Sequence, residues 1–195
     1  MNNDRCRICK ILPETIQHLT AGCSALANSD YLHRHNLSCK IVHQFLANQH
    51  HLLHEVVRYY HYEPEPILEN NQVKIYYDVQ VITDITVQHN RPDIIILDKV
   101  LNKVQLIDVT HPNDHNMEKA FQHKIDKYKP LAEEIKKMWK ISKAEIIPIV
   151  VTVNGLVHID QKKFMRRLDV PPTIVNDIQR SVILETCRIV RKALS

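Results

Sequence analysis

Two aspartates, Asp93 and Asp108, have a spacing that would allow them to hold a metal ion together. Residues 91–110, RPDIIILDKVLNKVQLIDVT, contain two apolar runs. Asp93 opens the first run, and Asp108 lies near the end of the second. A polar turn at residues 98–103 separates the runs, a pattern typical of paired strands. Fourteen residues lie between the aspartates, so a hairpin can bring both carboxylates to the same end of a sheet.

Two carboxylates at the end of an apolar sheet repel each other and are costly to leave unpaired. A divalent cation removes that cost, and Mg²⁺ favours one or two carboxylates together with substrate phosphate oxygens. Asp93 and Asp108 therefore predict a metal-dependent phosphodiesterase centre. A plainer interpretation stays open, because Pro-Asp before a strand is a common turn and an aspartate at a strand end is a common cap.

A second set of candidate ligands lies in CRICKILPETIQHLTAGC, residues 6–23. Its three cysteines and one histidine form a CCHC set that suits tetrahedral Zn²⁺: Cys6, Cys9, His18 and Cys23. Four ligands close the coordination sphere, which indicates a structural zinc and not a catalytic one. Zinc binding would then supply most of the stability of so short a module. The alternative is a buried cysteine with chance neighbours.

The composition limits the classes of protein that fit the chain. Its 195 residues are 44% hydrophobic and 25% charged, with a net charge of +4, which is compatible with nucleic acid but not diagnostic of it. Only two glycines occur, which argues against glycine-rich phosphate loops. No apolar run approaches the length of a membrane span. Five cysteines, three of them at metal-like spacing, indicate a reducing, intracellular compartment.

Residues 28–62 carry apolar residues at helical steps, and histidines occupy many of the polar positions between them. No cysteine or carboxylate joins these histidines at ligand spacing, so we predict a solvated or DNA-facing surface in preference to a second metal site. Arg34 and His35 are candidate phosphate contacts. Cys39 and Cys187 are predicted to be ordinary core residues. Pro64 and Pro66 then mark a loop before the sheet.

The rest of the chain predicts two more strands and two helices. We expect strands at 73–87 and 144–153, and helices at about 117–138 and 173–194, the first kinked or interrupted by Pro130. Asp84 is either a third acidic ligand or, as we prefer, a turn residue. Lys124 and Lys127 of the first helix are the candidates to reach the aspartates and stabilise charge on a phosphoryl group. The order predicts a mixed sheet with helices on its faces, the layout of the restriction-endonuclease core.

The sequence also resembles the C-terminal region of non-LTR retrotransposon polyproteins that carry a restriction-like endonuclease and insert into ribosomal RNA genes or similar targets. The resemblance rests on the segments quoted above, on HPNDHNMEKAFQHKIDKYKPLAEEIKKMWK and EIIPIVVTVNGLV, and on the closing ILETCRIVRKALS. CRICKILPETIQHLTAGC looks like the zinc knuckle between the reverse transcriptase and the endonuclease of these elements, including the E-T-x-x-H core. Nearly the whole length is covered.

The resemblance implies an α/β fold of the PD-(D/E)xK restriction-endonuclease type, with Asp93 and Asp108 as magnesium ligands. It implies three segments: a CCHC zinc knuckle (1–27), a helical linker (28–66) and the endonuclease domain (67–195). Typical members of the fold carry a lysine two residues after the second acid, where this chain has Thr110. A helical lysine, Lys124 or Lys127, would take its place.

The activity that the resemblance implies is a nick in target DNA that primes reverse transcription of the element's RNA. The expected partners are target DNA and, as a further candidate, that RNA, in the nucleus and without a membrane. The chain lacks a Tyr-x-Asp-Asp polymerase motif, so we expect a fragment, a degenerate copy or a separately expressed gene. The competing hypothesis is a zinc-dependent nucleic-acid-binding remnant that does no chemistry.

Overall fold

A five-stranded mixed sheet forms the centre of the structure, a computed structural model that describes residues 4–195. Its strands are β1 (Ile67–Glu69), β2 (Val73–Tyr77), β3 (Ile94–Asp98), β4 (Lys103–Thr110) and β5 (Lys143–Val150), side by side in chain order. The first four pair antiparallel, and β5 runs parallel to β4. The predicted mixed sheet is therefore confirmed, with β1 as a strand that the sequence did not indicate.

Within residues 4–195, four α-helices flank the sheet. They are α1 (Leu32–Gln49), α2 (Met117–Met138), α3 (Gln161–Arg167) and α4 (Pro172–Leu194). Helix α2 is the crossover that a parallel neighbour requires between β4 and β5. The prediction of α4 is confirmed to within one residue, whereas α3 was not predicted. Short helical turns between residues 18 and 31 precede α1.

Two turn residues stabilise the backbone conformation of the β3–β4 hairpin. Asp98 Oδ1 accepts hydrogen bonds from the amides of Val100 and Leu101 at 2.9 and 2.8 Å, and Asn102 adopts a left-handed φ of 47°. Aspartate and asparagine are suited to these two tasks. The turn therefore fixes the register in which Ile94 pairs with Ile107.

Alternation along the strands divides the core between the two faces of the sheet. Ile94, Ile96 and Ile107 pack with α1, α3 and α4 on one face. Ile95 and Leu106 pack with α2 on the other. Since side chains alternate along a strand, Asp108 shares the face of Leu106 and lies towards α2. The face of the sheet on which Asp108 lies therefore decides which helix can supply a lysine to Asp108.

The predicted strand at 73–87 is too long, because β2 ends at Tyr77. Asp78 has a φ of 51°, a left-handed conformation that breaks the extended backbone. The chain then forms a loop up to Asp93, which buries Val81 and Val87 beside α2. In this segment the alternation of apolar and polar residues therefore indicates buried side chains and not an extended strand.

The predicted helix across residues 28–62 is also too long, because α1 ends at Gln49. His51 adopts a left-handed φ of 56°, and the Leu52 amide turns back to the Ala47 carbonyl at 2.9 Å, as in a Schellman cap. In α2 the interruption expected at Pro130 is not found, and the helix continues on both sides of it. Pro130 lies on the exposed side, where the lost backbone hydrogen bond is least costly.

The N-terminal segment packs against the end of the chain. Leu19 and Leu26 are buried with Ile189 and Ala193 of α4. Residues 1–3 of the predicted knuckle lie outside the described residues, and the division into three segments stays a prediction. Across residues 4–195 no helix is long and apolar enough to cross a membrane.

Buried His43 predicts that the fold loses stability in mild acid. The histidines of residues 28–62 were predicted to form a solvated or DNA-facing surface, which is wrong for His43, because its ring is fully buried against Tyr62 and Tyr77. Burial lowers its pKa from 6.5 to about 4. Below the ordinary pKa the unfolded state takes up a proton that the folded state refuses, so the free energy of unfolding falls as pH drops from 6.5 towards 4. We expect His43 to account for about 2 kcal/mol of loss between pH 7.5 and 5.

Urea unfolding at both pH values measures this loss as a difference between variants. His43→Gln should show a pH dependence about 2 kcal/mol weaker than wild type, while exposed His54→Gln should keep the wild-type dependence. Using the difference removes contributions that all three proteins share, such as protonation of the cysteine cluster. Equal pH dependence in wild type and His43→Gln would contradict the prediction.

Candidate metal centres

Asp93 and Asp108 meet at one end of the sheet. Ile94 pairs with Ile107, so the next position in the antiparallel register places Asp93 opposite Asp108. The backbone amide of Val109 donates a hydrogen bond of 2.6 Å to Asp93 Oδ2, which ties the first aspartate to the strand that carries the second. The hairpin thus brings together the two carboxylates that the sequence singled out.

Asp108 is buried, with 3% of its side chain exposed, and helix α2 supplies its partners. The Tyr128 hydroxyl donates a hydrogen bond of 2.5 Å to Oδ1, and Lys124 forms an ion pair with Oδ2. Lys127 lies farther away, with its ammonium 3.5 Å from Oδ1 and over the Tyr128 ring. Both candidate lysines therefore reach Asp108, and Lys124 makes the closer contact.

Asp93 is more exposed than Asp108, and its second partner comes from α1. His35 Nε2 lies 3.2 Å from Asp93 Oδ1. Burial lowers the pKa of His35, but the hydrogen bond to Asp93 and the charges of both aspartates outweigh burial and raise that pKa overall. His111 is held neutral instead, because burial lowers its pKa to about 3, and its Nδ1 donates to the Val151 carbonyl at 2.9 Å.

A cleft of about 280 Å³ opens beside these groups, between the N-terminal segment and the end of β4. His35, Thr110, His111 and Lys124 line it together with Arg34 and residues of the segment 21–32. Two carboxylates, a lysine and an adjoining cleft are the parts that a metal-assisted attack on a phosphodiester needs. The same parts would bind a phosphate group without any reaction.

The structure also places four other residues about which the sequence made predictions. Arg34, predicted as a phosphate contact, is buried, and its guanidinium donates to the Thr186 hydroxyl and the Thr20 carbonyl, both at 2.9 Å. Burial lowers its pKa to about 10. Asp84 lies exposed in the loop after β2. Of the two cysteines predicted to lie in the core, Cys39 is buried, but Cys187 is exposed on α4, so that prediction is wrong. Cys39 also lies against His35, a contact that the sequence analysis did not foresee.

The second cluster unites the four predicted CCHC residues. Their ligand atoms all lie within 4.8 Å of one another. Cys6 Sγ and Cys23 Sγ are 4.0 Å apart, and Cys9 Sγ lies 3.3 Å from His18 Nε2. Sulfur atoms around a tetrahedral zinc lie about 3.8 Å apart, given Zn–S bonds of about 2.3 Å. The cluster could therefore hold a metal ion such as zinc.

Local backbone geometry prepares this cluster for thiolates. Hydrogen bonds from the backbone of Leu12 and Ile11 lower the pKa of Cys9 to about 6. Burial raises the pKa of Cys23, so a cation is needed to offset the cost of ionising that thiol. The Tyr31 hydroxyl accepts a hydrogen bond from the Cys23 amide at 3.1 Å and lies 3.0 Å from the His18 carbonyl, which holds both ligand-bearing turns in place.

No protein-family model matches this chain, and a search of curated proteins finds no significant match. Any function assigned to the chain therefore rests on the geometry of these two clusters and on the fold that positions them.

Proposed function

We propose that the chain is a Mg²⁺-dependent DNA endonuclease of the restriction-like type. The observation that carries the proposal is the meeting of Asp93, Asp108 and Lys124 beside an open cleft at one end of the sheet. A buried carboxylate is costly unless a cation offsets it. Here the buried Asp108 faces a lysine and a second carboxylate at the same time.

The order of elements supports the PD-(D/E)xK type of fold. Helix α1 precedes the antiparallel meander β2–β3–β4, and α2 then crosses over to the parallel strand β5. Asp93 precedes the second strand of this unit and Asp108 lies on the third, which is where the resemblance to retrotransposon endonucleases puts the metal ligands. Thr110 shares the α2 side of the sheet with Asp108, so a lysine of α2 can replace the missing lysine at Thr110.

Asp93 and Asp108 would hold the metal, which when bound activates a water and neutralises charge on the phosphoryl oxygens. The chain's own groups prepare this arrangement. Val109 and Tyr128 each hold one carboxylate by donating to it. Lys124 pairs with Asp108 and places a positive charge at the cleft, where it would attract the phosphodiester and stabilise the charge that develops during attack.

The cysteine cluster would serve the same function from the other wall of the cleft. A zinc-bound knuckle would fix Ala21, Ala27 and Tyr31, which line the cleft opposite Lys124, and would so position DNA against the aspartates. The resemblance adds that the nick primes reverse transcription of an element's RNA in the nucleus. These statements are parts of the proposal, and the nicking on which they depend is tested first.

A plasmid-nicking assay tests the proposal. Purified chain with Mg²⁺ should convert supercoiled DNA to the open-circular form, and EDTA should abolish the conversion. If the protein shifts DNA on a gel but nicks none in Mg²⁺ or Mn²⁺, the endonuclease assignment for this chain is wrong, and a nucleic-acid-binding remnant replaces it. Such binding should weaken steeply with salt, because it would rest on phosphate contacts.

Lys124 should matter more than Lys127 in this assay. Lys124→Ala removes the ammonium that contacts Asp108 from the cleft side, so we expect nicking to slow by about 10²–10³-fold, as for loss of one charge-stabilising donor. Lys127 lies farther from Asp108 and does not line the cleft. Lys127→Ala should therefore slow nicking by less than about tenfold.

The matched control for both is Lys129→Ala, on the same helix. Lys129 is exposed and pairs with Asp126, so this variant removes one positive charge without touching the cleft. Single-turnover rates at saturating DNA separate the chemical step from binding. The assignment to Lys124 fails if Lys127→Ala is the slower enzyme, or if Lys129→Ala is as slow as Lys124→Ala.

A further inference from the structure

Three potential metal ligands of different chemistry lie close together, and one of them, Asp93, also belongs to the aspartate pair. Cys39 Sγ lies 3.4 Å and Asp93 Oδ1 lies 3.2 Å from the same nitrogen, His35 Nε2. All three ligand atoms fall within 4.8 Å of one another. The two distances to His35 are close to the edges of a tetrahedron around a zinc-sized ion, about 3.3–3.6 Å between a nitrogen ligand and an oxygen or sulfur ligand.

The elements that carry these donors hold them rigidly. His35 and Cys39 are four residues apart on α1, a spacing that places two side chains on one helical face, one turn apart. Asp93 enters from the sheet and is fixed by the Val109 amide. Two of the three groups therefore share one helix, and the third directly precedes β3 and is tied to β4, so the fold already places them side by side.

The electrostatic surroundings favour a cation. Asp93 and Asp108 place two carboxylates at this end of the sheet, and Asp93 contacts His35, which lies against the buried Cys39. A bound cation would offset the repulsion between the carboxylates, and Cys39 would bind it as a thiolate, with the thiol proton passing to solvent. His35 lines the cleft, from which water or a phosphate oxygen would approach the metal.

We propose that His35, Cys39 and Asp93 form a second metal site, selective for a thiophilic divalent cation such as Zn²⁺. Thiolate and imidazole ligands suit Zn²⁺ and its relatives, whereas Mg²⁺ requires oxygen ligands. Because Asp93 belongs to both sets, occupancy by Zn²⁺ withdraws a magnesium ligand and inhibits nicking. This second statement rests on the proposed endonuclease function, whereas the metal site itself does not.

Cobalt titration tests the site without using activity. The knuckle is first filled with one equivalent of Zn²⁺, and Co²⁺ is then added in steps. Wild type should develop a thiolate-to-cobalt charge-transfer band that saturates at one equivalent, and Cys39→Ala should not. Cys187→Ser, which alters an exposed cysteine outside both clusters, should keep the band. Cobalt held by Asp93 and Asp108 alone would give no such band.

His35→Gln provides a second variant in case Cys39→Ala does not fold. It retains the thiol but should weaken cobalt binding by at least about tenfold, the smallest effect expected when a ligand shell is disturbed. Any one of three results would overturn the proposed site. They are the absence of the charge-transfer band in wild type, its persistence in Cys39→Ala, and an undiminished affinity for cobalt in His35→Gln.

Nicking assays then address the inhibition. In wild type, Zn²⁺ should inhibit nicking, and the Zn²⁺ concentration needed for inhibition should rise with the Mg²⁺ concentration. In Cys39→Ala, inhibition relative to that variant's own rate should require at least about tenfold more Zn²⁺. A cobalt band together with absence of nicking in every metal would retain the site and reject the endonuclease. Nicking that Zn²⁺ leaves unaffected in wild type would reject the inhibition.

Discussion

Asp108→Asn should slow DNA nicking by at least about 10³-fold while leaving DNA binding in place. Asparagine has the same shape as aspartate, and its side-chain oxygen can still accept the hydrogen bond that Tyr128 donates to Oδ1. What disappears is the negative charge that would hold Mg²⁺ and that pairs with Lys124. Loss of a metal ligand removes several kcal/mol of transition-state stabilisation, and about 4 kcal/mol corresponds to 10³-fold in rate.

The measurement combines single-turnover nicking with a gel-shift titration at fixed salt, and Asp84→Asn is its matched control. Asp84 lies exposed in the loop after β2, so the control makes the same change in charge away from the cleft. Asp84→Asn should nick at the wild-type rate. Nicking by Asp108→Asn within tenfold of wild type, with thermal stability unchanged, would show that Asp108 is not a ligand of the reactive metal.

The sequence predicted the parts of this site that depend on local patterns. The β3–β4 hairpin follows from its apolar runs and from an aspartate and an asparagine in the turn, so the approach of Asp93 to Asp108 was visible in advance. The CCHC cluster likewise follows from spacing alone. Both predictions needed only residues that lie close together along the chain.

Contacts between distant segments were not predictable in this way. His35 meets Asp93 from 58 positions away, so no carboxylate partner of this histidine was visible in the sequence. Tyr128 lies on the same helix as the two candidate lysines, yet nothing in the sequence marked its hydroxyl as a hydrogen-bond donor to Asp108. Arg34 was predicted as a phosphate contact, but it is buried, although charged residues seldom bury without partners. Its acceptors come from the N-terminal segment and from α4, which only the fold brings together.

Removing the metal from the cysteine cluster should produce the largest loss of stability in this protein. The cluster fixes the segment that buries Leu19 and Leu26 against α4 and that supplies the Thr20 carbonyl to buried Arg34. A buried charged donor that loses its acceptor costs about 3 kcal/mol, before any loss of apolar burial is counted. For a chain of this size that corresponds to about 6–12 °C in Tm.

Chelation of a zinc-loaded protein and the variant Cys23→Ser should both lower the Tm by at least this amount, and their effects should not add. Hydrogen exchange should rise at residues 4–31 and at the end of α4, while the sheet keeps its protection, because the sheet has its own core on both faces. Cys187→Ser, the same replacement at an exposed cysteine, should leave the Tm and its response to chelator unchanged. If chelation shifts neither the Tm nor the exchange of α4, packing alone holds the segment, and its cysteines have no structural metal.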